Sequence, residues 1–130
     1  MKKSPLLFTL AIVGLCIAVN YSCKKESSDP CDDMGATYNE AVKSIIDNTC
    51  AYAGCHDGSN SNPYMPAGSG DYTTYEGMQA NLENGKFTER VLETMNMPNP
   101  AFVPSGRPAS LTTEEIAVLT CWKDNGFAKQ

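Results

Sequence analysis

Apolar residues fall into one short unbroken run near the start of the chain, then into helically spaced stretches separated by irregular polar segments. The run is Leu6 to Val19, preceded by Lys2 and Lys3. At 14 residues it is too short for a comfortable membrane span. A basic start and a short apolar core predict a secretory leader over residues 1–22. Residues 24–30, Lys-Lys-Glu-Ser-Ser-Asp-Pro, have no periodic apolar position and read as a tether. A folded domain is expected over residues 31–130, and the length allows no more than one.

Within that domain the apolar spacing predicts short helices and no strand of any length. Thr37 with Glu40 has the form of a capping box. Tyr38, Val42, Ile45, Ile46 and Thr49 then follow at helical intervals, giving a helix over about 38–48. Thr73 with Glu76 starts a second helix, with Tyr75, Met78, Gln79 and Leu82 on one face and Gly85 as its C-terminal cap. A third is expected from Thr88 with Val91, Leu92 and Met95, ended by Pro98 and Pro100. Thr112 with Glu115 opens the last, carrying Ile116, Leu119 and Trp122 and ending near Asn125-Gly126. Residues 57–72 and 96–110 are Gly-, Ser-, Asn- and Pro-rich loops, long enough to imply a function. The fold class is all-α.

The chemistry concentrates where the first helix ends, in Cys50-Ala51-Tyr52-Ala53-Gly54-Cys55-His56. Cys-x-x-Cys-His is the attachment signal for c-type haem, and here the spacer has four residues. Two thiols add across the haem vinyl groups, and the adjacent histidine lies under the iron as proximal ligand. Gly54 and two alanines leave the spacer free to bulge. The plain alternative is a short Cys50–Cys55 disulfide beside an exposed histidine. Against it, His56 is the chain's single histidine and stands at the position the motif requires. A closed zinc site needs four paired Cys or His ligands, and no second cluster lies nearby.

Export changes how the other cysteines read. Cys23 follows the apolar run and precedes a charged stretch, which resembles the lipobox of bacterial lipoproteins, with Asn20 where a leucine is expected. The alternatives are an ordinary signal peptide or an uncleaved anchor. Cleavage before Cys23 leaves 108 residues and takes the net charge from −5 to −7, because Lys2 and Lys3 are lost. An acidic surface rules against nucleic acid as a partner. Cys16 goes with the leader, so Cys31 and Cys121 remain, and two unassigned thiols in an oxidising compartment suggest a disulfide.

The order helix, haem motif, loop, helix, helix, methionine loop, helix resembles a class I c-type cytochrome. It is closer still to the small monohaem cytochrome-like lipoproteins of Bacteroidetes and planctomycetes. The residues that carry the resemblance are Ile46 to Cys50 with Gly54-Cys55-His56, then Met97-Pro98, then Leu111-Thr112 with Cys121-Trp122 and Gly126. They span about 36–127, and the four-residue spacer departs from the family pattern.

The resemblance implies about four short helices around one covalent haem c, with Cys50 and Cys55 as attachment points. It also implies packed terminal helices that bring Cys31 and Cys121 within bonding range. His56 and a methionine are the axial ligands. Met97, in a proline-stiffened loop that resembles the family's Met-Pro ligand loop, is preferred to Met95 on the third helix. Met34, Met65 and Met78 read as packing or proximal-loop residues. The expected activity is electron transfer outside the cytoplasm, between redox partner proteins, from a lipid anchor on the periplasmic face or the cell surface. It is a carrier's function and not an enzyme's: the lone histidine leaves none for Ser/His/Asp chemistry. The other readings are a haem-based sensor or binder of small ligands, and a haemless lipoprotein held by disulfides.

Overall fold

The structure, a computed structural model, describes residues 29–59 and 70–130. The expected leader, the expected lipidation site Cys23 and the loop residues Pro63, Met65 and Pro66 lie outside them. Among the described residues all regular structure is helical. A π-helical turn Tyr38–Val42 runs into α1 (Lys43–Thr49), followed by α2 (Tyr75–Glu83), a second π-helical turn Thr88–Glu93, and α3 (Thr113–Asp124). No helix among the described residues is long and apolar enough to cross a membrane.

The caps hold in part. At α3 the Thr112 hydroxyl accepts from the Glu115 amide at 3.2 Å, and the Thr112 amide donates to the Glu115 carboxylate at 2.8 Å. This is the expected reciprocal box. At the first helix the Thr37 hydroxyl donates to the Glu40 carboxylate instead and caps no amide. The α2 cap is one residue later than expected. Thr74 accepts from Gly77, while the Thr73 hydroxyl donates to Asp71, since an Asp two residues back competes for it. Met95 is not on the third helix: the turn ends at Glu93, and Met95 takes a left-handed backbone (φ 49°) and is 61% exposed.

The core is built largely by the apolar faces the spacing predicts, with Phe87, which the spacing does not mark, added between them. Val42, Ile46, Met78, Phe87, Leu119 and Trp122 are all at most 1% exposed. Trp122 stands edge-on to Phe87 and Phe127, with ring centroids 5.7 and 4.9 Å away. Beyond α3 the chain doubles back through Phe127, a non-glycine residue at φ 59°. That reversal aims the Ala128 carbonyl at two donors, the Trp122 indole N–H (2.8 Å) and the Tyr38 amide (2.9 Å). The C-terminal tail thus ties the first helical segment to the last. The Cys31–Cys121 disulfide makes a second tie, with Cα atoms 5.4 Å apart. Met34 packs beside it, its sulfur 3.6 Å from Cys121 Sγ.

Candidate functional site

The haem-like motif begins where α1 runs out of partners. The Cys50 and Ala51 amides both donate to the Ile46 carbonyl at 2.8 Å, which ends the helical ladder. Thr49 is 1% exposed, and its hydroxyl donates to the Ile45 carbonyl at 2.6 Å while lying 3.3 Å from Cys50 Sγ. Burial pushes the Cys50 thiol up to about 11, so it is a neutral thiol at physiological pH.

The spacer folds into a closed turn. The Cys55 amide donates to the Tyr52 carbonyl (2.9 Å), and the His56 amide donates back to the Cys50 carbonyl (3.1 Å). Gly54 at φ 83° makes the reversal, a backbone state that a Cβ would oppose. Tyr52 is buried, not splayed into solvent, and burial together with the neighbouring Cys55 thiol pushes its hydroxyl up to about 12. Arg107 reaches in from the 96–110 loop. Its guanidinium stacks 4.8 Å from the Tyr52 ring centroid and donates to the Asn48 carbonyl at 3.4 Å.

His56 is half-buried, and Tyr72 holds it at two levels. The Tyr72 amide donates to the His56 carbonyl at 2.8 Å, and the two rings stack with centroids 4.1 Å apart and planes 12° from parallel. Asp57 and Asp71 pair just beyond, as an isolated antiparallel bridge. The Asp57 carboxylate accepts from Ser59 and is held below the usual carboxylate range by those bonds. Thr73 does the same for Asp71.

Cys50, Cys55 and His56 therefore sit on one turn, and both cysteines are free thiols in a chain whose Cys31 and Cys121 are joined. Met97 lies on a separate loop, half-buried against the hydrophobic core. The Asn96 and Met97 amides both donate to the Arg90 carbonyl (3.0 and 3.2 Å), anchoring that loop to the end of the second π-helical turn. The Met97–Pro98 peptide is cis. Sequence reading missed Tyr52, Tyr72, Asn81 and Arg107. No spacing rule marks them: Tyr52, Tyr72 and Arg107 lie in a spacer and loops that carry no period, and Asn81 is a polar residue on α2 outside its apolar spacing.

Chemically, the donor set suits a covalently held haem. Addition of a thiol S–H across a vinyl C=C forms one C–S bond, moves the proton to the neighbouring carbon and needs no oxidant, so it requires reduced cysteines. Among the described residues no group of three or more His, Cys, Asp or Glu side chains is placed to hold a bare metal ion. A haem brings its own equatorial ligands and asks the chain for thiols and axial donors only. Comparisons with protein-family models, with characterised proteins and with solved structures gave no match.

Proposed function

We propose that this chain is a monohaem c-type cytochrome that carries single electrons outside the cytoplasm. The haem would be attached through Cys50 and Cys55, with His56 and Met97 as axial ligands. The observation that carries the reading is one turn holding two free thiols and the chain's only histidine, closed by the His56 amide on the Cys50 carbonyl.

Bound there, the haem supplies the one-electron chemistry. The chain's own contribution is to bind and orient. Thr49 and Ile46 hold the Cys50 end of the turn against the core, and Arg107 braces the spacer. Tyr72 grips the backbone and ring of His56. A methionine thioether held to the haem together with His56 would raise the potential, and Met97 is the core-facing candidate, where Met95 stands in solvent. Cys23, as the lipid-bearing residue, and the 24–30 tether would keep the carrier at the envelope within reach of redox partner proteins.

The deciding experiment is a pyridine haemochrome assay on protein made together with a c-type maturation system. One haem per chain that resists acid-acetone extraction is expected, and the Cys50→Ala/Cys55→Ala variant should retain none. Haem that resists extraction in that variant refutes the attachment sites, and no haem in the parent refutes the function. A five-coordinate ferrous spectrum that takes up carbon monoxide would turn the reading to a ligand-binding haem protein.

A further inference from the structure

The imidazole of His56 is held by a neighbour that no motif marks. Tyr72 lies in the last part of the 57–72 loop and is 6% exposed. Its ring lies flat on the imidazole, 4.1 Å away and 12° from parallel, and its amide binds the same residue's carbonyl. Behind it, Asn81 of α2, also 6% exposed, donates its Nδ2 to the Tyr72 hydroxyl at 3.1 Å. Gly70 shows how tightly this pair is enclosed. A Cβ there would stand 2.6 Å from Asn81 Nδ2 and 2.9 Å from Tyr72 Cε1, so only glycine lets the chain cross them. The contacts form a line from α2 through Asn81 and Tyr72 to the imidazole face.

We infer that Tyr72 is the positioning residue that fixes the plane of the His56 ring, with Asn81 as its anchor in α2. The inference rests on the cytochrome reading and deepens it. Coordination and stacking do not compete. A ring nitrogen offers its lone pair in the imidazole plane, at the ring edge, while the stack uses the ring face. A ligand histidine needs some partner to set its orientation, and a polar partner at its second nitrogen is the usual one. Whatever else the imidazole bonds, the buried aromatic face of Tyr72 blocks rotation about the Cβ–Cγ bond. The negative face of the tyrosine ring also favours whichever state places more positive charge on the imidazole. With iron bound, that is the ferric state.

The test has two arms. In the protein as purified, nuclear Overhauser contacts between the ring protons of His56 and Tyr72 are expected, and their absence overturns the inference. In the haem-loaded protein, Tyr72→Leu removes the ring and should lower the ferric-to-ferrous ratio at a fixed poise about fivefold, the size of a cation–π contact. At 59 mV per tenfold for one electron this is an upward move of about 40 mV. Tyr72→Phe keeps the ring and gives up the Asn81 bond, and should stay within about twofold of the parent. Equal shifts in the two variants, or no shift in Tyr72→Leu, overturn the stack as the cause. If Tyr72→Leu does not fold, the contacts in the parent still decide. Ring contacts without any haem refute the cytochrome reading, whereas haem without ring contacts refutes only the role of Tyr72.

Discussion

Removing the Cys31–Cys121 disulfide should cost this domain a large part of its stability. The bond joins residues 90 apart in sequence. In the chain-entropy picture a closed loop of that size restrains the unfolded chain by about 4.6 kcal/mol at 25 °C. Domains of this length are stable by only about 5–15 kcal/mol in total. The site is also buried, with Cys121 5% exposed and the Met34 sulfur against it, so the folded state gains nothing from the change. A Cys31→Ser/Cys121→Ser variant places two hydroxyls in that site, so the loss should reach about 3–5 kcal/mol. Trp122, the single tryptophan, is fully buried and reports unfolding by its own fluorescence. With a urea slope of about 1–3 kcal/mol per molar, the midpoint should fall by about 2 M. A fall worth less than about 1 kcal/mol would refute the reasoning, since it would mean that the bond places little restraint on the unfolded chain. Peptide mapping without reductant should find residues 31 and 121 linked.

Three further outcomes are expected. Met97→Ala should abolish the weak red band of a ferric iron–thioether bond and lower the potential, and Met95→Ala should leave both unchanged; the reverse result would assign the ligand to Met95. Thr112→Ala should destabilise the domain by about 1 kcal/mol through loss of the α3 cap, read as a shift in the urea midpoint; Thr37→Ala, which caps no amide, should change it less. Stability should fall on acidification below about pH 4.5. Asp57, Asp71 and Glu76 are held below their ordinary values of 3.8, 3.8 and 4.5 by Ser59, Thr73 and Lys129. The unfolded chain then takes up protons first as pH drops, and the folded state loses ground through that window. An acid midpoint that does not move when Thr73 and Lys129 are both replaced by alanine would count against those bonds.

What could be read from the chain follows from periodicity. Val42, Ile46, Met78, Leu119 and Trp122 repeat at helical spacing, and each is buried where that spacing puts it. Cys31 and Cys121 were legible because the haem motif and the expected leader left them as the two unassigned thiols of the folded part. Met95 was misplaced because it keeps the spacing of Val91 and Leu92, yet the turn stops at Glu93, and nothing in the pattern encodes a left-handed residue two positions later. The Thr73 cap failed for a local reason, the competing carboxylate of Asp71. Tyr52 and Tyr72 were invisible as site residues because their roles come from contacts across the 96–110 and 57–72 loops. In such loops burial depends on backbone turns, and no hydrophobic period records them.

The four-residue spacer sets its two cysteines in different surroundings. In this turn they are not equivalent. Cys50 ends α1 against Thr49 and Ile46, is 9% exposed, and its thiol is pushed by burial from 9.0 to about 11. Cys55 follows the Gly54 reversal and is more open. A thiol reacts as its thiolate, and a buried thiol pushed up to about 11 stays almost wholly protonated near pH 8. In chains made without haem, iodoacetamide should therefore label the more open Cys55 well before the buried Cys50. Peptide mass spectrometry over a labelling time course reads both rates. Equal rates would mean that the end of α1 opens freely and the spacer turn does not hold. If the proposed haem is attached here, unequal rates would give the attachment an order: Cys55 first, and Cys50 only after Thr49 and the last turn of α1 move off its sulfur.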